Sequence, residues 1–391
     1  MYIENRAFIY LFFISFLCLS FSQLVFVPVL FLLGLFILYF RNILSKISIE
    51  DYIFWIFIVA SSISAIFAKN RIIAFGGVLL LVIYYISFLV GRGINFDKWI
   101  IVNASLISFF ILSLFGIFFY LFPDLSVKLK IDNISLLEIP SSKSFSLGEN
   151  IIRSPSITPN PVIFSSVVAY LMSFVVLFYF FRGRKWTFLL LIIFLSISVV
   201  FTSNTRTSIL LIFLSFSLMF VFLNAKEELI FVLSSFLVFF VFSVIFQNSL
   251  ISRFHAIVEG EDYSSFFNRL DSYKIALNLL SRNFLTGLGL VNFKEYVPYY
   301  YGNYIHSIYL SILVETGIIG FLSFISLIVV LLVRLIRNFL EFKDVFVFSI
   351  IVFAGLFLLH GFIDNTLYVF SLGLLFWFLL GVGVRETSKN F

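Results

Sequence analysis

Charge is scarce in this sequence. Only 12% of its 391 residues are Asp, Glu, Lys or Arg, while 62% are hydrophobic. A soluble domain carries about 25% charged residues. Polar residues must cover the outside of a water-soluble fold, so this composition excludes one and makes lipid the main solvent. Cysteine is scarcer still. Cys18 stands alone in an apolar run, which excludes a disulfide framework and a cysteine-based metal site. No repeat of fixed period and no low-complexity linker is present. The amino-terminal "MYIENRAFIYLFFISFLCLSFS" has no A-x-A-like cleavage signal, so a retained first helix is expected rather than a cleaved signal peptide.

What is present is a succession of apolar runs. A helix crossing the hydrocarbon core needs roughly 20 apolar residues, and most of the chain divides into runs near that length. A membrane β-barrel would alternate apolar and polar residues, whereas "FLLLIIFLSISVVF" (Phe188 to Phe201) is continuous. The expected class is an all-α polytopic membrane protein, a single membrane domain over residues 1–391. About twelve spans are expected: 7–22, 24–40, 52–68, 73–91, 99–122, 162–181, 187–204, 207–224, 229–248, 307–333, 345–361 and 366–384.

Lys and Arg in short loops set orientation. With the amino terminus inside, Arg41, Lys46, Arg92, Lys98, Arg182, Arg184, Lys185, Lys226, Arg334, Arg337 and Lys343 all fall inside. The outer turns hold only Lys69, Arg71 and Arg206. Both termini are therefore expected in the cytoplasm. The net charge of +6 is explained by these anchors, and no nucleic-acid partner is expected. Two long loops, 123–161 and 248–305, fall outside, and long loops are commonly functional. The second contains an amphipathic helix: Phe266, Leu270, Tyr273, Ala276, Leu277 and Leu280 share one face, and "TGLG" (Thr286 to Gly289) ends it. Such a helix can lie on the outer leaflet or cap a cavity.

Polar residues in so apolar a chain need reasons. Arg206 stands in "FTSNTRTSIL", at a tight outer turn. It can snorkel to the interface, but its outer position and its neighbours Ser203, Asn204, Thr205 and Thr207 also suit a lipid-linked phosphate. In "YIHSIYLSILVETGIIGF", helical rotation places His306, Leu310, Leu313, Gly317 and Gly320 on one stripe. Glu315 lies about 13 Å deeper on the opposite face. It is expected to be a structural or supporting polar anchor, and His306 to face the outer surface for chemistry. His255 can be simply solvated. His360 and Asp364, in "LLHGFIDNTLY", lie at the same outer end and are candidate supporting residues.

These segments together resemble the bacterial O-antigen ligase and O-antigen polymerase family. "HSIYLSILVETGIIG" is similar to its H-[NS]-x-x-L…E-x-G-x-x-G signature, and "SNTRTSILLIF" to its Ser-Arg turn. "NRLDSYKIALNLLSRNFLTGLGLVNF" resembles its Arg…W…P-x-x-G-x-G segment, with Tyr273 in place of the tryptophan and Phe284, Leu285 and Thr286 where the proline usually comes. "SPSITPNPVIFSSVV" is similar to an N-P segment before the sixth span. Arg153 and Asn160, in that region, are further supporting candidates. The resemblance implies a GT-C-like glycosyltransferase of the bacterial inner membrane with a periplasmic site. It would move a glycan from undecaprenyl diphosphate to an acceptor hydroxyl, on lipid A–core for a ligase or on another lipid-linked repeat for a polymerase. It also implies that Arg206 and Arg269 bind the diphosphate and that His306 acts on the acceptor.

Those residue types fit that chemistry. A departing diphosphate gathers negative charge, which fork-shaped guanidinium groups receive well. Imidazole titrates near neutrality and is the usual side chain for taking a hydroxyl proton. No Asp-x-Asp pair and no His/Asp cluster at ligand spacing occurs, so the expected activity needs no metal and no cofactor. The competing reading is a twelve-span transporter or a flippase of lipid-linked sugars. Transporters carry charges at the membrane midplane, whereas here the functional-looking charges collect at the outer surface.

Overall fold

The computed structural model describes residues 26–39, 47–94, 97–122, 156, 158, 161–183, 186–203, 205–220, 263–297 and 304–389. The described residues form eleven α-helices and no strand. These are α1 (Phe26–Leu38), α2 (Ile49–Phe67), α3 (Arg71–Gly93), α4 (Lys98–Leu121), α5 (Pro161–Gly183), α6 (Trp186–Ser203), α7 (Arg206–Phe220), α8 (Tyr263–Arg282), α9 (Ile308–Phe342), α10 (Val345–His360) and α11 (Phe370–Lys389). Six of them, α2, α3, α4, α5, α9 and α11, are long and apolar enough to cross a membrane, and α1, α6 and α10 have shorter apolar stretches. The expected spans at 7–22 and 229–248 lie outside the described residues, as does most of the loop at 123–161.

Short polar residues start the helices. Asn70, Asp97 and Asp344 each accept from a backbone N–H of the turn they open, at 3.3, 3.0 and 2.9 Å, the usual N-cap economy. The apolar runs do the rest. α5 is buried along almost its whole described length and α11 likewise, so these two helices form the centre. α11 lies against α3 so closely that a Cβ on Gly381 would sit 2.1 Å from the Phe88 carbonyl oxygen, and only glycine permits that approach.

The two ends of the bundle differ. At one end, carboxylates and cations pair: Arg92 with Asp51 at 2.8 Å, Lys98 with Asp344 and Glu386 at 2.6 and 3.1 Å, and Arg334 with Glu50 at 2.7 Å. Asp51, Glu50 and Glu386 are almost fully buried, and a buried charge without a partner is strongly unfavourable. At the other end lie the chain crossings before α9 and between α10 and α11, with α8 laid against them. Arg269, His306, His360 and Asp364, each singled out in the sequence, lie there.

A broken helix and the candidate active site

The breach in α9 organises this end. The helix runs from Ile308 to Phe342 but is interrupted at Gly317, whose φ is 70° and ψ −177°, a region essentially reserved for glycine. The break frees backbone groups, and the segment after α8 takes them up. Leu288 N donates to Val314 O (3.1 Å), Gly289 N to Glu315 O (2.9 Å), and Ile318 N to Phe284 O (2.9 Å). Gly287 (φ 70°) faces Gly317 across the crossing, where a Cβ would sit 2.5 Å from both Glu315 O and Gly317 N. The expected stripe through Gly317 is therefore corrected: that glycine breaks the helix to admit a loop. The "TGLG" stretch does not end α8 either; α8 stops at Arg282 because the following residues pair with α9.

Glu315 completes the joint. Its carboxylate accepts from Val291 N (2.9 Å), Phe293 N (3.3 Å) and the Tyr368 hydroxyl. One buried side chain thus ties together α9, the segment after α8, and the crossing between α10 and α11. The same segment is pinned to the turn between α2 and α3, where Asn292 Nδ2 donates to Asn70 O at 2.7 Å.

His306 lies just before α9. Ser307 N donates back to Ile305 O at 2.8 Å, a three-residue turn with His306 at its apex. Ser307 caps the helix, accepting from Leu310 N at 3.4 Å. Helical rotation therefore does not apply to His306, and its position on the expected stripe is corrected too. The His306 Nδ1 stands 3.3 Å from Asp364 Oδ1, with side chains 23% and 18% exposed. Asp364 Oδ1 also accepts from Asn365 N at 2.8 Å. The Tyr304 ring packs 4.5 Å from the His306 ring. Among the described residues, His306 Nε2 has no partner.

Arg269 arrives from α8. Its Nη1 donates to Ile363 O at 3.1 Å, beside Asp364. One turn along, Tyr273 donates its hydroxyl to His306 O at 2.6 Å. On that helix Ser272 and Ala276 are buried, whereas Leu277 is 54% exposed. The packed face therefore runs through Arg269, Tyr273, Ala276 and Leu280, and Leu277, expected on it, points away. Burial pulls the Asp364 carboxyl up, but the His306 hydrogen bond and the positive charge of its neighbours outweigh it and hold the group at about 2. Burial, with the Asp364 charge second, pushes the Tyr304 phenol up, so it remains protonated.

Of the other expected residues, His360 is buried at the end of α10, its Nδ1 2.6 Å from the Tyr170 hydroxyl of α5. Arg206 opens α7, and its side chain lies outside the described residues, as do Arg153 and Asn160. The turn before Arg206 is held to α5 by the Thr205 and Ser165 hydroxyls, 3.0 Å apart. Ser165 and Tyr170 lie about one and a half turns apart on one helix, so α5 carries both the Arg206 turn and the His360 contact. Tyr170, Tyr304 and Tyr368 were not singled out by sequence. Each stands in a greasy or tyrosine-rich stretch that gives no local signal, and only the fold brings it to a partner.

A histidine hydrogen-bonded to a carboxylate, with a guanidinium group alongside, can take a proton and receive negative charge. Comparison with curated proteins finds no match at a significant level. The family model described as O-antigen ligase matches residues 191–325, which include the Arg206 turn, α8, His306 and the break in α9, and so this part of the chain is similar to the O-antigen ligase family.

Proposed function

We propose that this chain is a glycosyltransferase of the bacterial inner membrane. In this reading it crosses the membrane about twelve times in a GT-C-like arrangement with both termini in the cytoplasm, its site is periplasmic, and the loops 123–161 and 248–305 lie on that same side. It transfers a glycan from undecaprenyl diphosphate to a sugar hydroxyl of lipid A–core, as an O-antigen ligase. The observation that carries the reading is the meeting of Arg269, His306 and Asp364 from three separate elements at one end of the bundle, the end at which α7 begins with Arg206.

Those positions support the following reaction. Nδ1 of His306 faces Asp364, which favours a proton there and leaves Nε2 to accept one from the acceptor hydroxyl. The oxygen attacks the anomeric carbon, the bond from that carbon to the phosphate oxygen breaks, and the electron pair leaves with undecaprenyl diphosphate. Arg206 and Arg269 receive the growing charge, and Asp364 stabilises the imidazolium. Arginine takes the place of a divalent ion, so no metal is required. Arg153 and Asn160 are proposed to support the same pocket.

Glycan chromatography in a strain lacking this chain tests the assignment. The ligase reading predicts that polymer disappears from the lipid A–core while lipid-linked polymer accumulates. Single repeats on the core would instead identify a polymerase, and an unchanged profile on both lipids would overturn transfer altogether.

A further inference from the structure

Behind the His306–Asp364 pair lies a second, buried pair with no part in the reaction above. His360 and Tyr170 are 1% and 0% exposed, and the Tyr170 hydroxyl is 2.6 Å from His360 Nδ1. The other ring nitrogen, Nε2, is fully buried with no partner among the described residues. A buried polar group left unsatisfied is unfavourable, and a partner is expected nearby.

The surroundings supply one. Ile363 N and Asp364 N both donate to His360 O, at 2.8 and 3.0 Å, so Asp364 is one helical turn from His360. The two side chains are close enough to feel each other's charge. Asp364 Oδ1 is already occupied by His306 and Asn365 N, and Oδ2 is the oxygen left over. Asn365 Oδ1 and Thr366 Oγ1, on the same crossing, are also buried without a partner among the described residues, and a site with several such groups suits one bridging water. The tautomer follows from the neighbours. A lone pair on Nε2 facing a carboxylate would be repelled, whereas an N–H there is attracted, and Tyr170 can then donate to a bare Nδ1. The charged and titratable groups around His360 are Asp364, Arg269 and Tyr170.

We propose that His360, held by Tyr170 with its proton on Nε2, is a positioning residue that grips Asp364 through one bridging water and so aims the carboxylate at His306. This rests on His306 acting as the base. Its importance is geometric: a carboxylate gripped at both oxygens cannot turn away when the imidazole moves to meet an acceptor.

The test is steady-state transfer by purified protein in detergent, with radiolabelled undecaprenyl-diphosphate-linked oligosaccharide as donor and lipid A–core as acceptor. The series is His360→Leu, His360→Gln, Tyr170→Phe and His306→Ala, with Tm measured in parallel. His360→Leu should lower kcat about 10-fold or more, as loss of an orienting partner usually does, with KM for both substrates unchanged. His360→Gln keeps an N–H near the Nε2 position and should recover most of kcat. Tyr170→Phe should fall between them. Wild-type kcat in His360→Leu would overturn the inference, as would equal losses in the Leu and Gln variants that track Tm. His306→Ala separates the levels: if it stays active the base itself is wrong, and if it is inactive while His360→Leu is unaffected, only the role of His360 fails.

Discussion

His306 is the residue on which the proposed chemistry rests. It sits at the apex of a three-residue turn, one nitrogen committed to Asp364 and the other without a partner among the described residues. Removing the imidazole should reduce transfer by about 10²–10⁴-fold, the usual contribution of a general base, while expression and Tm stay near wild type, because the side chain is partly exposed. Asp364→Asn keeps the shape and loses the charge, so kcat should fall at every pH. The pH window of Asp364 is specific. Its folded pKa, about 2, lies below the ordinary value of about 3.9, so its contribution to stability is complete above pH 4 and is lost as pH falls from about 4 towards 2. Thermal unfolding across that window should show the loss in wild type and not in Asp364→Asn. Arg206→Lys should transfer poorly, because an ammonium cannot grip two oxygens at once; unchanged turnover would favour an arginine that only snorkels.

At the scale of elements, the break in α9 joins the parts of the site. Glu315 receives two backbone N–H groups from the segment after α8 and the hydroxyl of Tyr368, so α8 with Arg269 and the crossing with Asp364 are referenced to one carboxylate. Glu315→Ala leaves three donors unmatched, one buried and two part-buried, at up to about 1–3 kcal/mol each, and should lower both Tm and activity. Gly317→Ala meets two obstacles: a φ of 70°, worth about 1–3 kcal/mol for other residues, and a Cβ 2.3 Å from Leu285 O. It should lower Tm more than Ala at Gly355, which has open space around it. Part of this was legible. The sequence "ETG" advertised a carboxylate and a glycine inside an apolar run, and Glu315 read as an anchor. The loop inserted between them was not, because Phe284 to Gly289 and Val314 to Ile318 are brought together largely by backbone hydrogen bonds, which carry no side-chain signature, and by the distant Ser64 hydroxyl, which accepts from Gly289 N and donates to Glu315 O. For the same reason helical projection misplaced His306, since the cap at Ser307 is a property of backbone geometry.

At the scale of the molecule, composition alone placed the chain in lipid. The runs expected at 52–68, 73–91 and 99–122 appear as Ile49–Phe67, Arg71–Gly93 and Lys98–Leu121, since an apolar run bounded by charge leaves a helix few other ends. The polar end with its ion pairs was visible only as scattered Lys and Arg. That Arg92 meets Asp51 and Arg334 meets Glu50 depends on helix packing between distant segments. His306, Arg269 and Asp364 were each singled out in the sequence, but their meeting required the fold. The proposed chemistry asks arginine to do what a divalent ion does elsewhere, so EDTA should leave transfer unchanged. Inhibition relieved by added magnesium would refute that part of the account.

The most direct measurement is label transfer by the purified protein in detergent, without any compartment to transport across. Radiolabelled undecaprenyl-diphosphate glycan and lipid A–core are supplied together, and the acceptor is isolated. The account predicts label on the acceptor with wild type and almost none with His306→Ala. Label transferred equally by both proteins would contradict it, as would a wild-type protein that binds the donor and never joins glycan to acceptor.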